Sequence, residues 1–287
     1  MSGIDNGLLR SGAWASVYLI VLLQHIGLTH VVLHQPIRAV GAWPRWPGWG
    51  RMVGILLAGM TGAMIPLLPE SRPVGEAAVH LWGDLDGSLL LVWTVHWAAM
   101  TLLSLQATPS RWGHDDEGIA LAAARLSVQV VLAMLLLFGL LMVRGMLDGL
   151  IETRLTVWMS ARGPWPALTQ PIAFLIWLGV VAPPRRDAGG RALPGGELLA
   201  LNHALLTATF FLGGMSGPFV QRMPWLGGLY LALKADLVTI LSVWLSARVP
   251  AAVGVGNVRG MWRVAVPAAM VNLTLTALAL AWLQAGR

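Results

Sequence analysis

The chain has 287 residues, 56% of them hydrophobic and only 11% charged, with 15 Trp, 33 Gly and no Cys. Soluble domains carry roughly 25% charged residues, so a soluble fold of this length lacks the charge to cover its exterior, a need that lipid removes. The formal net charge of +6 is scattered through loops, which argues against a nucleic-acid binder with its clustered basic face, and the lack of cysteine excludes disulfides, thiolate-held zinc and thiolate-held iron–sulfur clusters.

In chain order, eight apolar segments stand out, at roughly 13–33, 52–68, 87–105, 119–143, 167–182, 198–214, 226–249 and 264–284. At about 1.5 Å per residue, a helix of some 20 residues crosses the roughly 30 Å of bilayer hydrocarbon. Segments two, five and six are nearer 16 or 17 residues and need flanking residues to cross. Met1 to Ser11 lacks the layout of a signal peptide, and the first apolar run is long enough to remain as a span. An even number of crossings puts both termini on one side. Arg38, Arg45, Arg51, Arg111, Arg185, Arg186, Arg191, Arg259 and Arg263 follow the odd-numbered segments. Arg10, Arg72, Arg144, Arg154, Arg162, Arg222 and Arg287 lie on the other side. The bias is slight, and it places the termini outside, periplasmic in a bacterial inner membrane.

Between segments four and five, residues 144–166 mix charges with Met146, Leu147, Leu150, Ile151, Leu155 and Trp158, the spacing of an amphipathic helix lying in the interface. No internal repeat and no low-complexity linker breaks the chain. The expectation is a single membrane domain over 1–287: an all-α, polytopic integral membrane protein of about eight transmembrane helices plus one interfacial amphipathic helix.

Polar groups within spans are costly, so they face protein or a water-filled path. His25 and His30 fall in segment one, His96 in three, Arg125 and Gln129 in four, Asn202 and His203 in six, and Lys234 and Asp236 in seven. Arg125 and Gln129 are i and i+4 and share a helix face. They read as a polar lining or a tie to a neighbouring helix, with snorkelling of Arg125 to the interface as the alternative. Lys234 and Asp236 are i and i+2, point apart and do not pair. Lys234 reads either as a proton-path residue or as a snorkelling or interhelical lysine. The lone histidines read first as hydrogen-bonded packing residues. A haem would need facing histidines on adjacent helices, such as His25 or His30 with His96 or His203. Phosphate-loop, dinucleotide, zincin and cysteine motifs are absent, so no cofactor is expected on this chain and catalysis by it alone has no visible chemistry.

One set of residues carries more. From Lys234 onward, Trp244, Ala247, Pro250, Trp262, Arg263, Pro267 and Asn272 follow at fixed spacings, and Phe211-Leu212-Gly213-Gly214 precedes Pro218. Further back, Asp84-Leu85 comes before Leu89-Leu90, and Arg125 before Gln129. This order resembles the H subunit of bacterial NADH–quinone oxidoreductase (respiratory complex I) and the equivalent subunits of membrane-bound, energy-converting hydrogenases. The family carries a Lys, W-x-R-A-T-x-P-R, a Trp-Lys and then Pro and Asn in the last helix. Its earlier marks are F-[LF]-G-G-W-x-x-P, D-L-N-I-G-L-L and R-A-A-A-Q. The resemblance covers roughly residues 52–284. It implies a membrane subunit that anchors a peripheral electron-transfer arm, couples it to antiporter-like subunits that pump ions, and has quinone as its substrate.

The departures are chemical. Where the family has S-Y-E, this chain has Leu132, Ala133 and Met134. The family's acidic loop is reduced to Asp187, Leu193, Pro194 and Glu197 among basic residues, and the Arg of W-x-R-A-T is Ser246. The run P-R-x-R-Y-D is Pro250-Ala251-Ala252-Val253-Gly254-Val255, and His34-Gln35-Pro36 echoes L-Q-P in a shortened first loop. Replacing Glu with Met removes a proton-relay member, so quinone chemistry is in doubt while the packing marks persist. Two other readings remain open: a structural or assembly subunit without proton chemistry, and a standalone transporter, which should show repeat symmetry or paired broken helices.

Overall fold

The computed structural model describes residues 18–27, 49–65, 87–106, 116–148, 154–159, 165–183, 193, 195–246, 248 and 258–285. Among these residues all regular structure is helical: α1 (Tyr18–Gly27), α2 (Trp49–Met64), α3 (Ser88–Gln106), α4 (Asp116–Asp148), α5 (Leu155–Met159), α6 (Pro166–Thr169), α7 (Pro171–Ile176), α8 (Gly196–Phe211), α9 (Leu226–Ser246), α10 (Val258–Gly260) and α11 (Val266–Ala285). Two π-helical turns, Trp177–Val181 and Met261–Ala265, continue α7 and join α10 to α11.

Every predicted apolar run contains a helix. Four helical stretches are long and apolar enough to cross a membrane: Ser88–Leu105, Ala123–Gly145, Leu226–Leu245 and Val258–Ala285. α2 and α8 have 16 residues each, about 24 Å at 1.5 Å per residue and short of the hydrocarbon thickness. The chain is an integral membrane protein.

The short α8 is the centre of the fold. It is apolar or small on nearly every face, which suits a helix with no outer side, and 14 of its residues are buried. α2, α3, α5, α6 and α9 all pack against it, while α2 also lies along α3 and α11 along α4.

The fifth apolar run is broken for a chemical reason. Proline disfavours helical backbone in the residue before it, and Gln170, which precedes Pro171, sits at φ −132°, ψ 61°. The Gln170 amide then bridges the gap, its Nε2 donating to Gly139 O of α4 at 3.0 Å. The following π turn presents carbonyls sideways, and side chains from two other helices take them: Ser242 Oγ donates to Leu178 O at 3.0 Å and Gln129 Nε2 to Val180 O at 2.7 Å. The second π turn comes just before Pro267, which has no N–H to give to the preceding turn.

The stretch at 144–166 departs from expectation. α4 runs on to Asp148, and the described remainder forms only the five-residue α5. The apolar residues of α5 are covered by protein, with Leu155, Trp158 and Met159 all buried. Ser88 Oγ accepts the Leu155 N–H at 3.0 Å, Met159 O accepts the Met215 N–H at 2.7 Å, and Trp158 meets Phe210 edge to face at 5.8 Å. Hydrophobic spacing cannot distinguish a face that meets lipid from one that meets the turn after α8.

Candidate functional site

The buried polar groups gather along α8, at its two ends and its middle. At the N-terminal end, α1 is joined to α8 and α9 through side chains. Tyr18 Oη donates to Asn202 Oδ1, and Asn202 Nδ2 donates to Ala58 O of α2 at 2.7 Å. Tyr18 reaches Asn202 because Gly62 has no side chain: a Cβ there would lie 2.3 Å from the Tyr18 hydroxyl. Two turns on, His25 is fully buried, with Nε2 3.9 Å from Glu197 Oε2 and Nδ1 3.5 Å from Thr239 Oγ1. Beside it Gln24 Nε2 donates to Asp236 Oδ2 at 2.5 Å. Buried His25 with Glu197, and exposed Gln24 with Asp236, thus form a polar seam along α1, open on one side where the Glu197 side chain is 39% exposed.

In the middle of α8 the rings stack. His203 lies flat between His96 at 5.7 Å and Trp177 at 5.5 Å. Trp177 Nε1 donates to Thr207 Oγ1 at 2.7 Å, and Thr207 Oγ1 donates in turn to His203 O at 2.6 Å. Trp93 closes the stack, 5.1 Å from Trp177 and 5.7 Å from Phe210. His96 and His203 present ring faces to one another. His30 lies outside the described residues. Among the described residues no group of three or more potential ligands could hold a metal ion.

At the C-terminal end, Lys234 is a tie. Its Nζ donates to Gly214 O at 2.9 Å and Ser216 O at 2.6 Å, approaches Ser216 Oγ at 3.5 Å, and lies 5.3 Å from the centre of the Trp165 ring. Its three oxygen partners come from the turn that ends α8. Gly213 and Gly214 both have positive φ, 71° and 53°, and a Cβ on Gly214 would lie 2.5 Å from Met159 O. A residue with a side chain is strained there and collides with backbone as well. Pro218 follows, exposed, at the outer side of the turn.

The sequence-derived candidates therefore separate. Lys234 and Asp236 do not meet: one serves the C-terminal turn and the other the α1 seam. Gln129 is buried and ties α4 to the π turn, whereas Arg125 is half-buried one helical turn earlier. Met134, in the place of the family's Glu, is 49% exposed, whereas Gln129 is buried, so the two lie on different sides of α4. Trp244 and Trp262 are half exposed, with the Arg248 guanidinium 4.3 Å from the Trp244 ring centre. Asn272 is buried, and its carbonyl accepts from Thr276 Oγ1 at 2.8 Å. Asp84 and Pro250 lie outside the described residues.

Sequence reasoning missed the seam itself. It placed Glu197 as a loop remnant, yet Glu197 is in the first turn of α8, and Tyr18 and Gln24 went unweighed. The available signal was three helices that each carry an acid, an amide or an imidazole within an apolar run.

An all-helical membrane protein with a central short helix and a carboxylate–histidine seam is the class that this geometry defines. Curated relatives sharpen it. Over 93 residues the chain is 38% identical to the NADH-quinone oxidoreductase H subunit numbered 2 of Cereibacter sphaeroides, covering 32% of this chain and 26% of that protein. It is 40% identical over 80 residues to the H subunit of Thermomicrobium roseum (28% and 22%), and 28% identical over 212 residues to that of Anoxybacillus flavithermus (63% and 61%). The chain thus spans about a quarter of the first two relatives' length and less than two thirds of the third's. No protein-family model matches it. The chain resembles these H subunits and is divergent from them, as its motif order indicates.

Proposed function

We propose that the chain is the membrane subunit equivalent to these H subunits in a multi-subunit oxidoreductase that moves ions, of the NADH–quinone oxidoreductase or energy-converting hydrogenase kind. It anchors a peripheral arm to a membrane arm, in the bacterial inner membrane, as one domain with eight crossings and both termini periplasmic. The observation that carries the reading is the likeness to an H subunit over 212 residues, 63% of this chain.

The chemistry of the chain fits ion coupling better than quinone reduction. Proton transfer requires titratable groups within relay distance, and His25 stands 3.9 Å from Glu197, while Asp236 is held by the neighbouring Gln24. Quinone reduction requires donors around a headgroup, and Gln129 is committed to the π turn instead. Lys234 gives its donors to backbone carbonyls, which supports a structural role for that residue.

Two measurements test the proposal. The chain, tagged and purified from its own membranes, is expected to bring antiporter-like membrane subunits and a hydrogenase-like or quinone-reductase-like large subunit; recovery as a lone oligomer contradicts it and points to a transporter. In vesicles holding the assembled complex, Glu197→Gln with Asp236→Asn is expected to lower ion movement per electron. Unchanged pumping with intact assembly leaves the purely structural role as the better reading.

A further inference from the structure

α9 turns a single unbroken stripe outward. Trp225, Leu229, Leu233, Leu237, Ile240 and Trp244 are all exposed, at intervals of three or four residues that place them on one face. The stripe begins and ends in tryptophan, 60% exposed at Trp225 and 52% at Trp244. Trp225 immediately precedes α9, and the 19 residue steps from it to Trp244 span about 28 Å at 1.5 Å per residue, against roughly 30 Å of hydrocarbon. Trp rings prefer the two membrane–water boundaries, so their spacing gauges the layer between.

A cation stands beyond each tryptophan. The Arg248 guanidinium lies 4.3 Å from the Trp244 ring centre, and Arg222 is three residues before Trp225. The sequence has no acid between Glu197 and Asp236 to compete for Arg222. α10–α11 repeats the layout: Trp262 and Trp282 are exposed and 20 residues apart, about 30 Å, with Met270, Leu275 and Leu278 exposed between them. Contacts between membrane helices favour small residues that let backbones approach, whereas this stripe is made of large ones.

We propose that the outward face of α9 meets lipid rather than a protein neighbour. Trp225 and Trp244 lie at the two edges of the hydrocarbon layer, and Arg222 and Arg248 hold the phosphates of anionic phospholipid on either side. This sets the depth of the polar groups. Lys234 is nine residues from Trp225 and ten from Trp244, about 14 Å along the helix from either boundary, farther than a lysine side chain reaches. It therefore does not snorkel. The non-helical turn at 212–216, which is buried or half-buried, lies within the hydrocarbon layer, where irregular backbone survives only inside protein and with its carbonyls satisfied. Lys234 supplies that satisfaction.

The proposal rests on the membrane character of the chain and not on its place in a complex-I-like assembly. Because the chain has no Cys, Leu233→Cys, Leu237→Cys and Leu275→Cys can each carry a nitroxide label in the full-length protein within its native assembly, reconstituted in phosphatidylglycerol–phosphatidylcholine vesicles. Frequent collision with molecular oxygen and little with a water-soluble nickel chelate is expected at all three, with nickel access rising at Trp225→Cys and Trp244→Cys. Low access to both reagents at Leu233 and Leu237 means a protein neighbour covers the stripe, and high nickel access means water does; either overturns the proposal. Arg222→Gln and Arg248→Gln should each reduce the preference for phosphatidylglycerol in co-purified lipid about fivefold. An unchanged preference overturns the phosphate assignment.

Discussion

At the C-terminal end of α8, the Lys234 ammonium donates to backbone carbonyls at 2.6 and 2.9 Å, and the turn that it binds is pinned again through Met215 N and Met159 O. At the N-terminal end the partners are side chains, and the approaches between His25, Glu197 and Thr239 are 3.5 to 3.9 Å. A backbone carbonyl does not titrate or turn away, so a cation that it holds is fixed in place. A carboxylate, an imidazole and a hydroxyl can exchange protons and partners. One end of the same helix is a knot and the other is a site with chemical freedom. The difference teaches that a buried charge indicates function only when its partners can also change state.

The largest expected effect is at the knot. Gly214→Val puts a branched side chain at φ 53° and into Met159 backbone, and should destabilise the protein by about 3–5 kcal/mol. Thermal unfolding in detergent would register this as little or no folded protein; a normal melting temperature would show that the turn is soft. Lys234→Met leaves the Gly214 and Ser216 carbonyls without their donor, a loss of about 2–4 kcal/mol, whereas Lys234→Arg should recover part of it. Equal melting of the wild type and the Met variant would dissolve the contrast between the two ends. Gln129→Leu removes the bond to Val180 and should lower stability by roughly 1–2 kcal/mol, read as faster hydrogen exchange in the π turn. At the other end Glu197→Gln should change stability by less than about 0.5 kcal/mol, since a partly exposed pair at 3.9 Å contributes little. A large loss of stability there would make that end a second knot.

Much of this was legible in the sequence, and unevenly so. The apolar runs placed all the long helices, and the i and i+2 spacing of Lys234 and Asp236 correctly separated them. Gly213 and Gly214 stood in the sequence as a family mark at the end of the sixth apolar run, and their left-handed turn is seen only in the structure. The fate of 144–166 was not legible, because a buried α5 and an interfacial helix have the same periodicity. Nor was the seam, since Gln24 and Asp236 are 212 positions apart and nothing local in either predicts the other.

By itself the sequence determined the solvent and the class of structure. Too few charges for water and runs of apolar residues as long as a bilayer is thick admit helices in lipid, where each backbone group must find a partner inside its own segment or in protein. Its motif order also carried the likeness to the H subunits of complex I. Only the tertiary structure decided which polar groups share a site, because helix contacts bring together residues that the chain keeps far apart. It made Lys234 a tie, brought Glu197 to His25, and set Asp236 against Gln24. A side chain's role in a membrane depends on what stands opposite it, and that is fixed by packing rather than by spacing.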